Sequence, residues 1–87
     1  MNYELSQHAQ DEALRRQIPR ALIDAVMQSP QQIVDAYEGK SAYQSQLDFG
    51  AGKIYLLRLI VDDAVEPARI VTVYRTSRIA KYWRATT

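Results

Sequence analysis

The spacing of apolar residues along this chain changes once, at Pro30. Before it the period is helical. Ser6 is suited to cap a first helix of about Gln7 to Gln17, because its hydroxyl can accept an orphan amide at a helix start. Ala9, Ala13 and Leu14 give that helix a narrow apolar face. Ile18-Pro19 interrupts it: the proline ring disfavours helical geometry at the residue before it, yet fits the first turn of a new helix. Leu22, Ile23, Val26 and Met27 then recur at helical spacing, and Ser29-Pro30 closes the second helix.

After Pro30 the pattern is that of strands. Ile33–Tyr37 is a short apolar run, and Glu38-Gly39-Lys40 reads as a hairpin turn. Ala42–Phe49 alternates, with Tyr43, Ser45, Leu47 and Phe49 on one face and Gln44, Gln46 and Asp48 on the other. Gly50-Ala51-Gly52 supplies a second turn. Lys53–Val61 is apolar on both faces and reads as the central strand. Asp62–Pro67 is an acidic loop, and Arg69–Arg75 is a fourth strand rich in β-branched residues. Ser77 can cap a last helical turn from Arg78 to about Arg84. That turn sends Ile79, Tyr82 and Trp83 toward the sheet and Arg78, Lys81 and Arg84 outward. The predicted fold is α+β: two N-terminal helices on one face of a four-stranded antiparallel sheet, closed by a short C-terminal helical turn.

Length and composition limit what such a fold can do. Eighty-seven residues make a single domain, 1–87, and cysteine is absent, so neither a disulfide nor a thiolate metal site is available. The N-terminus has no basic and apolar leader pattern, and the longest apolar run, around Ile54–Val61, is broken by Arg58. A cytoplasmic domain without a membrane span is the expectation. Net charge is only +1, but all ten acidic residues lie between Glu4 and Glu66. Beyond them stand Arg69, Arg75, Arg78, Lys81 and Arg84, a basic closing region that can orient the molecule toward an anion.

Several chemistries find little support in these residues. A catalytic metal needs converging ligands; the chain has one histidine, and Asp62, Asp63 and Glu66 read as a solvated acidic turn. No metal and no cofactor is expected. No glycine-rich phosphate loop runs from a strand into a helix. His8 is the side chain that titrates nearest neutrality; it is either a partly buried structural histidine or a proton-transfer group. Arg58 interrupts the central strand, where a charge is costly unless paired or exposed. It is either half of an ion pair to a neighbouring strand or a phosphate ligand on the open face of the sheet. Arg15 and Arg16 suit the negative end of the first helix.

The segments His8–Pro19, Ser29-Pro30 and Val71–Trp83 together resemble a family of small bacterial domains of unknown function, DUF4258, grouped with RelE- and BrnT-like toxins. The resemblance implies a RelE-like fold and RNA cleavage without a metal, by attack of a 2′-hydroxyl on the adjacent phosphate. It also implies an antitoxin protein as partner. It points to His8, Arg75, Lys81 and Tyr82 as catalytic candidates. Arg16, Arg58, Arg78 and Arg84 are candidates for holding RNA. The chain departs from the family pattern at Glu12, an anion where a second arginine is usual. Two other readings stand beside the nuclease. One is a non-catalytic module that binds protein or RNA; the other is a homodimer joined through Tyr37, Tyr43, Phe49 and Tyr55.

Overall fold

The computed structural model describes residues 2–85, leaving Met1, Thr86 and Thr87 outside the described residues. In chain order the elements are β1 (Tyr3–Leu5), α1 (Gln7–Arg15), α2 (Arg20–Gln28), β2 (Gln32–Asp35), β3 (Ser41–Asp48), β4 (Ile54–Asp62), β5 (Ala68–Thr76) and α3 (Ile79–Tyr82). The strands form one sheet in the order β1-β5-β4-β3-β2. Neighbours from β2 to β5 are antiparallel, whereas β1 pairs with β5 in parallel, Tyr3 against Ala68 and Leu5 against Ile70. The α+β architecture with N-terminal helices on one face holds; the sheet is a mixed one of five strands rather than four antiparallel ones.

The missed strand is three residues long and sits immediately before a helix cap, too short for any periodicity to show. Its partner is more than sixty positions away in sequence. Ser6 links the two elements. Its side chain accepts from the Ala9 amide at 3.1 Å and caps α1, while its own amide donates to the Ile70 carbonyl at 2.9 Å. Such a cap is worth about 1 kcal/mol. It anchors the start of α1 to β5, along which the helix packs.

One face of the sheet carries the core. Tyr43, Leu57, Leu59, Val61, Ile70 and Val73 meet Ala9, Ile18, Ile23, Val26 and Met27 from the helical layer. β4 lies in the middle of the sheet and is buried from Leu56 to Val61, as its two-sided apolarity foretold. The first helix departs from the expected pattern. Leu14 is 81% exposed, because it lies about 100° around the helix from Ala13, off the stripe that faces the sheet. Of the aromatic surface proposed for a homodimer, only Tyr37 is largely exposed. Tyr43 is buried and donates to Asp63 at 2.9 Å. Phe49 and Tyr55 stand edge to face at 5.6 Å beneath Arg75.

A bulge in β5 determines which side chains reach the other face. Ile60 pairs with Thr72 but Val61 pairs with Ile70, so Val71 is an extra residue between them. Ala68 and Ile70 point into the core before the bulge, and Val73 and Arg75 point to that side after it. Thr72, Tyr74 and Thr76 are thereby turned to the opposite face. No helix of the described residues is long and apolar enough to cross a membrane.

Candidate functional site

A row of polar side chains crosses four strands on the face away from α1 and α2. Gln32 of β2 pairs with Gln44 of β3, Gln44 with Arg58 of β4, and Arg58 with Tyr74 of β5. The side chains bond in the same order. Gln44 donates to Gln32 Oε1 at 2.8 Å, Arg58 Nε donates to Gln44 Oε1 at 2.9 Å, and Arg58 Nη1 donates to the Tyr74 hydroxyl at 2.6 Å. Arg58 is only 8% exposed. No carboxylate among the described residues pairs with it. The ion-pair alternative for this arginine is therefore set aside: neutral dipoles and aromatic rings hold its charge.

The closing segment forms a roof over that charge. The guanidinium carbon lies 4.4 Å from the Tyr82 ring centroid and 5.7 Å from that of Tyr74. Each such contact contributes roughly 0.5–2 kcal/mol, more as water is excluded. Two glutamines hold the roof by its backbone. Gln32 donates to the Arg84 carbonyl at 2.6 Å and accepts from the Arg84 amide at 3.0 Å; Gln44 donates to the Tyr82 carbonyl at 3.2 Å. Gln32 mimics a pairing strand, so the segment is tied down after α3 has ended. As the helical spacing foretold, Ile79, Tyr82 and Trp83 are half-buried, while Arg78, Lys81 and Arg84 are exposed.

The two tyrosines are driven in opposite directions. Burial raises the Tyr74 phenol above its ordinary value, against the opposing effect of Arg58. The Tyr82 phenol is lowered, first by a hydrogen bond to Lys81 and further by Tyr74 and the Arg58 charge. Lys81 Nζ stands 5.2 Å from the Tyr82 ring centroid, and the two rings meet edge to face at 6.2 Å. A guanidinium, an ammonium and a phenol that holds its proton less tightly than usual thus stand side by side. Such a set can bind a phosphodiester, spread the charge of its transition state and exchange a proton.

The other candidates lie elsewhere. His8 is exposed in the first turn of α1, on the helix-bearing side of the sheet, away from Lys81 and Tyr82. Arg75, paired with the core residue Leu57, faces that same side and joins Arg16 there. The expected constellation is thus divided between two faces: Arg58, Lys81 and Tyr82 on one, Arg16 and Arg75 on the other. Arg78 and Arg84 belong to the roof segment. The residues that sequence reasoning passed over are Gln32, Gln44 and Tyr74. Gln44 carried a signal, since a tight turn at 50–52 pairs Asp48 with Ile54 and so sets Gln44 across from Arg58.

Glu12 has a definite role in the helical layer. Its carboxylate accepts from Arg15 Nη2 at 2.6 Å and also bonds Arg16 Nε. Hydrogen bonds from Arg15, then Arg16, bring its carboxyl down to about 2. A carboxyl lowered on folding stabilises the protein above its unfolded value, and that contribution disappears as pH falls through the folded one. Glu12→Gln is therefore expected to lower the melting temperature at pH 6, with the difference from wild type closing between about pH 4 and pH 2. Thermal scans of both proteins across that range measure it.

Among the described residues no group of three or more His, Asp or Glu side chains converges as a metal site would require. A search of curated proteins finds no match, and neither does a search of solved structures. The family model described as a domain of unknown function (DUF4258) matches residues 5–75. That span takes in Gln32, Gln44, Arg58 and Tyr74 but stops short of the roof that bears Lys81 and Tyr82. With most of its length and the whole polar row inside the match, this chain belongs to the DUF4258 family.

Proposed function

We propose that this protein is a metal-independent endoribonuclease of the RelE-like toxin type, working at the Arg58 face. The observation that carries the reading is Arg58 itself: a buried guanidinium, oriented by Gln44 and Tyr74, stacked on Tyr82 and without a carboxylate among the described residues. Burying a cation this way costs stability unless an anion arrives to use it. The phosphate of an RNA strand is such an anion, and the ring of Tyr82 or Trp83 offers a surface for a base.

In this reading Tyr82 acts as general base in its ionised form, which the neighbouring Lys81 makes easier to reach, and takes the proton of the 2′-hydroxyl. The 2′-oxygen then bonds to phosphorus, and the bond to the departing 5′-oxygen breaks. Arg58 carries the charge that develops on the non-bridging oxygens, while the Lys81 ammonium protonates the leaving oxygen. The products are a 2′,3′-cyclic phosphate and a free 5′-hydroxyl. If the family's grouping with RelE- and BrnT-like toxins extends to this chain's activity, a neutralising antitoxin protein is its partner.

The test uses purified protein, single-stranded RNA and excess chelator, with product ends identified by mass spectrometry. Cleavage to cyclic phosphate ends is expected, reduced about 10²-fold or more in Tyr82→Phe. Intact RNA at every protein concentration, with native circular dichroism, would sink the nuclease reading. Binding without cleavage would then favour the non-catalytic module, a reading that the strapped roof over Arg58 also accommodates.

A further inference from the structure

On the opposite face, a cavity of about 300 Å³ opens between the end of α1 and the end of β5, lined by Arg15, Arg16, Gln17 and Arg75. Three guanidinium groups line it with one carboxylate between them, and that carboxylate, Glu12, bonds only Arg15 and Arg16. Arg75 pairs with no carboxylate among the described residues. It is held instead by rings, its guanidinium carbon 4.7 Å from the Phe49 centroid and 4.9 Å from that of Tyr55. Rings at that distance fix the plane of a guanidinium and leave its edge free for an oxyanion.

The backbone at this spot is unusual too. Gln17 follows α1 in the left-handed region, φ 54°, where glycine normally ends a helix. A side chain there costs on the order of 1 kcal/mol. Gln17 also lines the cavity, while its backbone amide donates to the Leu14 carbonyl at 3.2 Å. Like charges crowded around a cavity favour an anionic occupant, and the arginine fork matches phosphate geometry.

The route to this cavity is set by the sheet. β1 pairs with β5 only as far as Ile70, so no strand among the described residues covers the outer edge of Val71–Thr76. Tyr74 and Arg75 are neighbours along that edge and point to opposite faces. We propose that the Arg15–Arg16–Gln17–Arg75 pocket holds a second phosphate of the same RNA strand, which passes from the Arg58 face around the open edge of β5. The inference rests on the nuclease reading for the identity of its ligand. It makes substrate length, rather than a base at the cleavage point, the first determinant of affinity. His8, exposed on the same side of the sheet, lies outside the pocket lining.

The experiment measures binding of uncleavable 2′-O-methyl oligonucleotides of two and eight nucleotides by fluorescence anisotropy across a salt series. The wild type is expected to bind the longer strand at least tenfold more tightly. Arg16→Gln/Arg75→Gln should remove most of that gain and flatten the salt slope by about 0.7, the share of one phosphate on a single strand. Arg15→Gln, at an exposed helix position, should act in the same direction and to a smaller extent. Arg58→Met should weaken both lengths alike. A length gain unchanged in the double variant, with native circular dichroism, overturns the pocket whether or not RNA is cut. A pocket-dependent gain on these oligonucleotides, together with ordinary single-stranded RNA left intact in the cleavage assay above, would remove the nuclease reading and leave the pocket standing. Failure of both lengths to bind the wild type would remove both.

Discussion

Arg58→Met is expected to lower RNA cleavage by about 10²–10³-fold or more while leaving the protein folded. The methionine follows the aliphatic part of the arginine stem, while the guanidinium that stacks on Tyr82 and donates to Tyr74 is removed. What disappears is the charge. Two effects on stability then oppose each other. Gln44 Oε1 loses its donor from Arg58, which costs about 1–3 kcal/mol for a buried acceptor. The desolvation cost of an arginine only 8% exposed disappears as well, and that gain is of similar size. A melting temperature within a few degrees of wild type is the expected result, measured beside the cleavage rate. Arg58→Lys should not restore activity, since an ammonium has neither the fork that meets Gln44 and Tyr74 together nor the plane that stacks on Tyr82. A fall of more than ten degrees in Arg58→Met would assign the arginine to the scaffold instead.

The second large effect is expected at Gln44, which is fully buried and makes three side-chain bonds. It gives hydrogens to Gln32 and to the Tyr82 carbonyl and accepts one from Arg58. Gln44→Leu leaves these partners incompletely satisfied beside an apolar side chain. The expected cost is about 3 kcal/mol, a large part of the roughly 4–13 kcal/mol typical of a chain this size. In melting temperature that is roughly 12–24 °C. The roof should loosen first, because Gln44 and Gln32 hold the segment by its backbone. Limited digestion with trypsin at Arg84 should therefore quicken in Gln44→Leu at temperatures where both proteins remain folded. Unchanged digestion and melting would show that the row does not support the roof.

The two variants separate what the row does for the fold from what it does for the site. Arg58 is costly where it stands, and its removal is expected to be tolerated. Gln44 is neutral and satisfied on every side, and its removal is not. A buried charge that adds little net stability and yet is held in one orientation by its neighbours is the pattern expected of a functional group.

Much of this architecture was legible from local pattern. The helical spacing of Leu22, Ile23, Val26 and Met27 placed α2, and Ser6 marked the start of α1. Both hairpins were readable from their turns. Glu38 at φ 54° and Gly39 at φ 75° bend the chain between β2 and β3, as Ala51 and Gly52 do between β3 and β4. The candidate residues were legible one at a time, because a charge in an apolar strand and a cluster of cations are visible without coordinates. Their grouping was not. Tyr82 was read both as a packing residue and as a catalytic candidate; it does pack, but what it packs against is a cation.

By itself the sequence determined the order of the elements from α1 onward, the central place of β4, the outward cations of the closing turn and the absence of cysteine chemistry. These follow from periodicity, turn residues and composition, which act over a few neighbouring positions. Only the tertiary structure decided the rest. The parallel pairing of β1 joins residues at opposite ends of the chain, and three residues carry too little pattern to announce it. The extra residue at Val71 shifts the alternation of β5, so that Tyr74 turns toward Arg58 and Arg75 turns toward Arg16. Because side chains alternate with a period of two, one inserted residue assigns every later side chain to the other face. That single displacement divides one basic region into two surfaces.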